Sequence, residues 1–243
     1  LFCGAGGFSL GLLQAGYEVL AGLDNDPDCM LTYLSNLGSY PVDIQYLEPE
    51  DKERATKTVE GEMRRLQKQG GLIQMPVSGS WWIRHNPEIP PIRHFFLGDI
   101  RKVSGERILK VLGRKVGEVD LVVGSPPCQG FSVSGKRNVM DPRNSLVFEF
   151  ARLVLEIQPK VLCMENVPGI LSMTTPEGVP VVDALCRVLE DGSFGPWEAL
   201  RKSLLTSAGV GAALKGSMPK NYKKQAKAQD DEAEQPALFE ELA

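Results

Sequence analysis

Five short apolar runs in this sequence each stop at residues that react, bind or let a ligand approach. Leu1-Phe2-Cys3 runs into Gly4-Ala5-Gly6-Gly7, Tyr17 to Leu23 into Asp24, and His94 to Leu97 into Gly98-Asp99. Val119 to Val123 runs into a loop bearing Cys128, and Lys160 to Met164 into Glu165-Asn166. Helical patterns lie between them. Phe8 to Ala15 is apolar-periodic and stops at Gly16; Asp24-Asn25-Asp26-Pro27 caps a helix reaching about Leu37; Gly105 to Leu112 is short. Ser145 to Ile157 places Leu146, Phe150, Leu153, Val154 and Ile157 on one face. Strands that alternate with helices pair in parallel, with the helices as crossovers. The expected fold is α/β: a Rossmann-like, doubly wound, mostly parallel sheet with helices on both faces. Ligands of such sheets gather at the carboxyl ends of the strands, where all five unusual stretches fall.

Residues 41–92 interrupt the rhythm and read as an insertion on this core. Its charged part, Pro49 to Gln69, suits a surface helix, and its Gly- and Pro-rich part holds Trp81-Trp82, which would pack it on the core. Further helices are expected over Val181 to Leu189 and Trp197 to Leu205. Residues 1–214 form one expected domain, and 215–243 have the composition of a disordered tail. Leu1-Phe2-Cys3 reads as the end of a strand that begins upstream.

Net charge is −4, but six of the 31 acids lie in 229–243, which has no Lys or Arg. The rest balances 27 cations against 25 acids, so any basic groove is local. The five cysteines form no C-x-x-C pair, which argues against a disulfide framework or a zinc site and for a reducing compartment. No metal site is expected. No apolar run matches a membrane span and no cationic leader precedes an apolar core, so a cytoplasmic protein without membrane contact is expected.

The chemistry of single residues leaves some alternatives open. The Gly4–Gly7 turn suits either a tight strand-to-helix connection or the close approach of a ligand to backbone. Asp24 suits either a helix cap or a ribose hydroxyl pair, and Asp99 either a turn cap or an adenine amino group. Cys128 follows Pro126 and Pro127, which hold the loop stiffly, so its thiol is placed as a nucleophile. Glu165, on the same edge, reads as a general acid whose partly desolvated carboxyl holds a proton near neutrality. Ser132, Ser134, Lys136 and Arg137 suit phosphate contacts. Cys163, inside an apolar run, reads as core.

These motifs, in this order, resemble the cytosine-5 DNA methyltransferase family. Leu1 to Ser9 is similar to its first motif, Gly98-Asp99-Ile100 to its adenine-contacting motif, and Gly124 to Ser132 to its catalytic motif. Asp141 to Leu146 and Glu165-Asn166-Val167 resemble two more. The resemblance implies S-adenosylmethionine as cofactor, held by Phe2, Gly4, Ala5, Gly6, Gly7, Phe8, Asp24, Asn25, Asp99, Ile100, Pro127 and Leu146. It implies double-stranded DNA as partner, met by Gln129, Ser132, Ser134, Lys136, Arg137 and Asn166. It implies catalysis by Cys128, which would add to C6 of a flipped cytosine, and by Glu165, which would hold N3 and the amino group. Asn25 stands where the family often has an aromatic residue. The family's Gln-x-Arg-x-Arg motif and its recognition region have no evident counterpart in the sequence, so an upstream region or a second polypeptide is expected to supply them. A tRNA cytosine-5 methyltransferase and a non-catalytic subunit are the competing readings.

Overall fold

The computed structural model describes residues 1–69, 82–127, 145–172 and 179–192. It contains strands β1 (Ala21–Asp24), β2 (Gly38–Tyr46), β3 (Ile92–Leu97), β4 (Leu121–Gly124) and β5 (Val161–Met164). Its helices are α1 (Gly7–Gln14), α2 (Pro27–Leu37), α3 (Pro49–Lys68), α4 (Gly105–Leu112), α5 (Ser145–Ile157) and α6 (Val181–Asp191). Local chemistry explains most of the starts. Asp26 accepts from the Asp28 N–H and Pro27 supplies the preset φ of a first helical residue, which begins α2. Glu48 and Asp51 form a reciprocal capping box around Pro49 at the start of α3. Ser104 caps α4, which ends at Gly113 with a φ of 62°.

Among the described residues the pairings β1–β3, β2–β3 and β4–β5 are all parallel. β3 lies between β1 and β2, and β4 pairs with β5. Backbone bonds from Leu1–Cys3 join these two sheets. Leu1 N donates to Val123 O at 2.8 Å, Ser125 N donates to Leu1 O at 3.4 Å, and Cys3 N donates to Leu23 O at 3.1 Å. The order across the molecule is therefore β5, β4, Leu1–Cys3, β1, β3, β2.

Alternation along β3 splits the core into two layers. Phe95 and Leu97 face one side, with Leu13 of α1, Met30, Tyr33, Leu34 and Leu37 of α2, and Ala55 of α3. Phe96 faces the other, with Ile108 and Leu109 of α4 and Phe150, Leu153, Val154 and Ile157 of α5. A second face of α5 packs Val147, Phe148, Ala151 and Leu155 against α6. Helices thus cover both faces, as the alternating sequence pattern requires.

Three features differ from the sequence expectations. First, the start of the stretch read as an insertion belongs to the sheet, because β2 pairs with β3 through Tyr46–Leu97. Pro41, Asp43 and Gln45 hid this strand, since an edge strand with one partner tolerates proline and polar residues. Second, β1 begins at Ala21 rather than at Tyr17. Third, Cys163 is exposed, not core. Among the described residues β5 is an edge strand, with Val161 58% and Leu162 37% exposed. Trp81, the expected helix Trp197 to Leu205 and the tail 215–243 lie outside the described residues. No described helix is long and apolar enough to cross a membrane.

Gly124 marks the tightest point of the junction. A Cβ there would sit 2.7 Å from the Phe150 ring and 3.3 Å from Leu1 O. Gly124→Ala is expected to lower stability by about 1–3 kcal/mol, through a displaced Phe150 ring and a loosened Leu1 pairing. Urea unfolding of the two proteins measures this directly.

Candidate functional site

The turn after Leu1–Cys3 winds through left-handed backbone. Phe2, Gly4 and Gly6 have φ values of 53°, 52° and 98°. For Phe2, which carries a Cβ, such a φ is costly, and it is held by packing against the core. Gly6 has no room for a side chain, because a Cβ would lie 2.8 Å from the Tyr33 ring. Gly4 and Gly7 differ: a Cβ on either would meet nothing within 4 Å, so open space lies over their backbone. Gly6 offers α1 no side-chain cap, so backbone N–H groups of its first turn have no capping side chain. Ala5 and Phe8 are exposed beside them.

Asp24 ends β1 against this turn. Its Oδ2 accepts from Gly4 N at 2.8 Å and its Oδ1 from Asp26 N at 3.0 Å. The cap of α2 falls to Asp26, so Asp24 is not spent as the helix cap. A carboxylate held by two backbone donors keeps further lone pairs for a hydroxyl pair. The neighbouring loop is tied in as well, since Gly98 N donates to Asp24 O at 2.9 Å.

Asp99 is a turn cap. It accepts from the Arg101 N–H and is gripped by the Arg101 guanidinium, with contacts of 2.9 and 2.6 Å. Burial acts to raise its pKa, but the Arg101 hydrogen bonds and charge outweigh it and hold the carboxyl below its ordinary value. An adenine amino group would therefore share an oxygen that already serves Arg101. Ile100 is 2% exposed and contributes its side chain to the core. Leu146 is partly buried against the same core, at the start of α5.

The ends of β4 and β5 are linked by Asn166. Its Nδ2 donates to Pro126 O at 3.1 Å, and its Oδ1 accepts from Val167 N at 2.9 Å. Glu165 N donates to Gly124 O at 3.0 Å. The expected DNA contact Asn166 thus already has its amide engaged on the loop that leads through Pro127 into Cys128. Glu165 is exposed, in contrast to the partly desolvated carboxyl expected from the apolar run before it. The reason is again the edge position of β5. Cys128, Gln129, Ser132, Ser134, Lys136 and Arg137 lie outside the described residues.

Two described cysteines are poor nucleophiles. Burial pushes the Cys3 thiol up to about 12. Burial also raises that of Cys29, aided by repulsion from Asp24, Asp26 and Asp28. Among the described residues no group of three or more His, Cys, Asp or Glu could hold a metal ion. A groove of about 540 Å³ is lined by Leu1–Gly4, Tyr17–Leu23 and Glu118–Ser125. Of the expected site residues it touches Phe2, Gly4 and Phe8, and it lies away from Glu165 and Asp99.

Two contacts at the strand ends escaped the sequence reading. Asn166 bridges two strand ends, and Arg54 of α3 donates to Asn25 O at 2.8 Å and Asn25 Oδ1 at 3.2 Å. Both are contacts between segments distant in sequence, and no local motif announces them.

Comparison with known proteins gives a consistent family signal. The family model described as C-5 cytosine-specific DNA methylase matches residues 1–60 and 90–191. The type II methyltransferase M.AquIA of Picosynechococcus is 31% identical over 71% of this chain and 48% of its own length. The type II methyltransferase M.DdeI of Desulfomicrobium norvegicum is 33% identical over 72% of this chain and 28% of its own length. The chain thus spans half or less of the length of these relatives.

Thiol labelling tests the burial pattern. With a pKa of about 12, Cys3 is a thiolate in only about one molecule in 10⁴ at pH 8. Iodoacetamide at pH 8 is expected to modify the exposed Cys163 and Cys186 in the native protein and Cys3 only after unfolding, as read by peptide mass spectrometry.

Proposed function

The chain belongs to the C-5 cytosine-specific DNA methylase family, and on that premise we propose that the protein transfers a methyl group from S-adenosylmethionine to C5 of cytosine in double-stranded DNA. The observation that carries this reading is the side-by-side arrangement of two strand-end groups. The Gly4–Gly7 turn and Asp24 stand on one side of the Leu1–Cys3 segment, and the β4–β5 ends that lead to Cys128 and Glu165 stand on the other.

The residues present fit the cofactor. Backbone open over Gly4 and Gly7 admits close approach, and Asp24 offers remaining lone pairs to a ribose diol. Bound there, S-adenosylmethionine supplies an electrophilic methyl group. Phe2, Ala5, Gly6 and Phe8 of the turn, together with Asn25, Asp99, Ile100, Pro127 and Leu146, are assigned to the same cofactor.

Cytosine C5 is a poor nucleophile in the intact ring, so the protein's own groups must activate it. A base inside a duplex is inaccessible and is flipped out to reach them. The Cys128 thiolate forms a bond to C6, and the ring electron pair shifts toward C5 while Glu165 holds N3 and the amino group. C5 would take the methyl group, the S–CH3 bond breaking to release S-adenosylhomocysteine; the C5 proton would then leave to a base and the Cys128–C6 bond would break to give 5-methylcytosine. Glu165 is exposed and able to meet a base from outside, which would then desolvate it. Asn166, by holding Pro126 O, sets the height of the loop before Cys128. Gln129, Ser132, Ser134, Lys136 and Arg137 are assigned to the DNA backbone and base.

Target recognition is assigned to residues beyond those described or to a second polypeptide. The names of the relatives, type II methyltransferases, favour a role in restriction–modification, and we place that role in the cytoplasm, on nucleoid DNA. Residues 1–214 are taken as the catalytic unit, with 215–243 as its tail.

Duplex DNA containing 5-fluorocytosine tests the mechanism, because fluorine cannot leave as a proton does. Wild-type protein with S-adenosylmethionine is expected to give a covalent complex on a denaturing gel, and Cys128→Ser none. Equal behaviour of the two proteins contradicts the proposal, and trapping on tRNA but not DNA moves the substrate to RNA. Asp24→Ala is expected to weaken S-adenosylmethionine binding by about 1.5–3 kcal/mol, the worth of hydrogen bonds to a charged group. Calorimetric titration reads that loss.

A further inference from the structure

We propose that Arg54 of α3 forms the wall of the nucleoside site on which the cofactor's base rests, with Asn25 as its partner and Asp51 as its anchor. This rests on the reading of Gly4–Gly7 and Asp24 as the cofactor cradle. If Asp24 takes the ribose hydroxyls, the base lies past the next residue, between the loops that follow β1 and β3. Those loops touch, through Gly98 N and Asp24 O.

The start of α3 is fastened across both of them. Leu47 N donates to Leu97 O at 3.0 Å, and Glu48 pairs with Lys102 at 3.0 Å. Gly98, with a φ of 141°, approaches the Asp51 carboxylate so closely that a Cβ has no room. The Asp51 side chain is only 8% exposed. It accepts from Glu48 N at 3.0 Å and from Arg54 Nη1 at 3.1 Å. A buried anchor of this kind fixes where the arginine can reach.

The Arg54 guanidinium then forks onto Asn25, with Nη2 on the backbone oxygen and Nη1 on Oδ1. These in-plane bonds leave the two flat faces of the cation free of hydrogen bonds. The side chain remains 44% exposed, so there is open surface for a ligand to cover. A planar, delocalised cation stacks on an aromatic ring, which an ammonium group cannot do. Asn25 is polar and exposed and has no comparable face. The helix read from the sequence as charged surface thus delivers a residue to the rim of the site from 29 positions away.

The test is calorimetric titration of the full-length protein with S-adenosylhomocysteine, for wild type, Arg54→Ala, Arg54→Lys and Arg54→Ala combined with Asn25→Phe. Arg54→Ala is expected to weaken binding about tenfold, and Arg54→Lys nearly as much, because it keeps the charge and loses the plane. Asn25→Phe in the Arg54→Ala background is expected to recover most of the loss by supplying a different flat face. If Arg54→Lys binds like wild type, or if Asn25→Phe recovers nothing, the stacking role is overturned. The Lys variant decides the matter even where the Ala variant folds poorly, since it retains the stem and the charge. Failure of the wild-type protein to bind S-adenosylhomocysteine overturns the cofactor reading itself. Normal binding by Arg54→Ala overturns only the role of Arg54.

Discussion

Three residues of backbone hold the two halves of this molecule in register. Leu1–Cys3 donates to Val123 O on one side and to Leu23 O on the other. No other described segment lies between β1 and β4. Because the pairing of the described strands is parallel, fixing one register brings their carboxyl ends to the same edge. The Gly4–Gly7 turn, Asp24, Gly98 and the β4 and β5 loops share an edge for that reason. Gly124 and Gly6 keep this junction tight, each standing where a side chain would strike a buried ring.

The helices secure the arrangement from behind. Arg152 of α5, 11% exposed, pairs with Glu149 and Glu156 and donates to Ile100 O and Val103 O. Burial alone would lower its pKa, but the two carboxylates more than reverse this and keep it charged. Glu156 in turn accepts from Gly105 N, at the start of α4. Buried ion pairs gain little over apolar packing, yet breaking one leaves an uncompensated charge. The loop after β3 is therefore pinned from the α5 side by Arg152 and from the α3 side by Asp51 and Glu48.

Much of this was legible in the sequence because apolar runs that stop at Gly or acid mark strand ends without any tertiary information. α4 and α5 have the limits that their apolar periodicity implies. What was not legible depends on partners. Asp24 and Asp26 are both acids near a helix start, and only the bond from Asp28 N shows which one caps. β2 reads as loop because its stability comes from β3 rather than from its own composition. Cys163 reads as core because an apolar run says nothing of how many neighbours its strand has. Arg54 is one charge among many on α3 until its bond to Asn25 is seen.

The central claim is that this edge methylates carbon 5 of cytosine. The most direct measurement incubates the full-length protein with S-adenosylmethionine and unmethylated duplex DNA, digests the DNA to nucleosides and weighs them. The account predicts 5-methyldeoxycytidine, formed by the wild-type protein and not by Cys128→Ser. A methyl group on an exocyclic nitrogen of cytosine or adenine, or no methylated nucleoside at all, would contradict it.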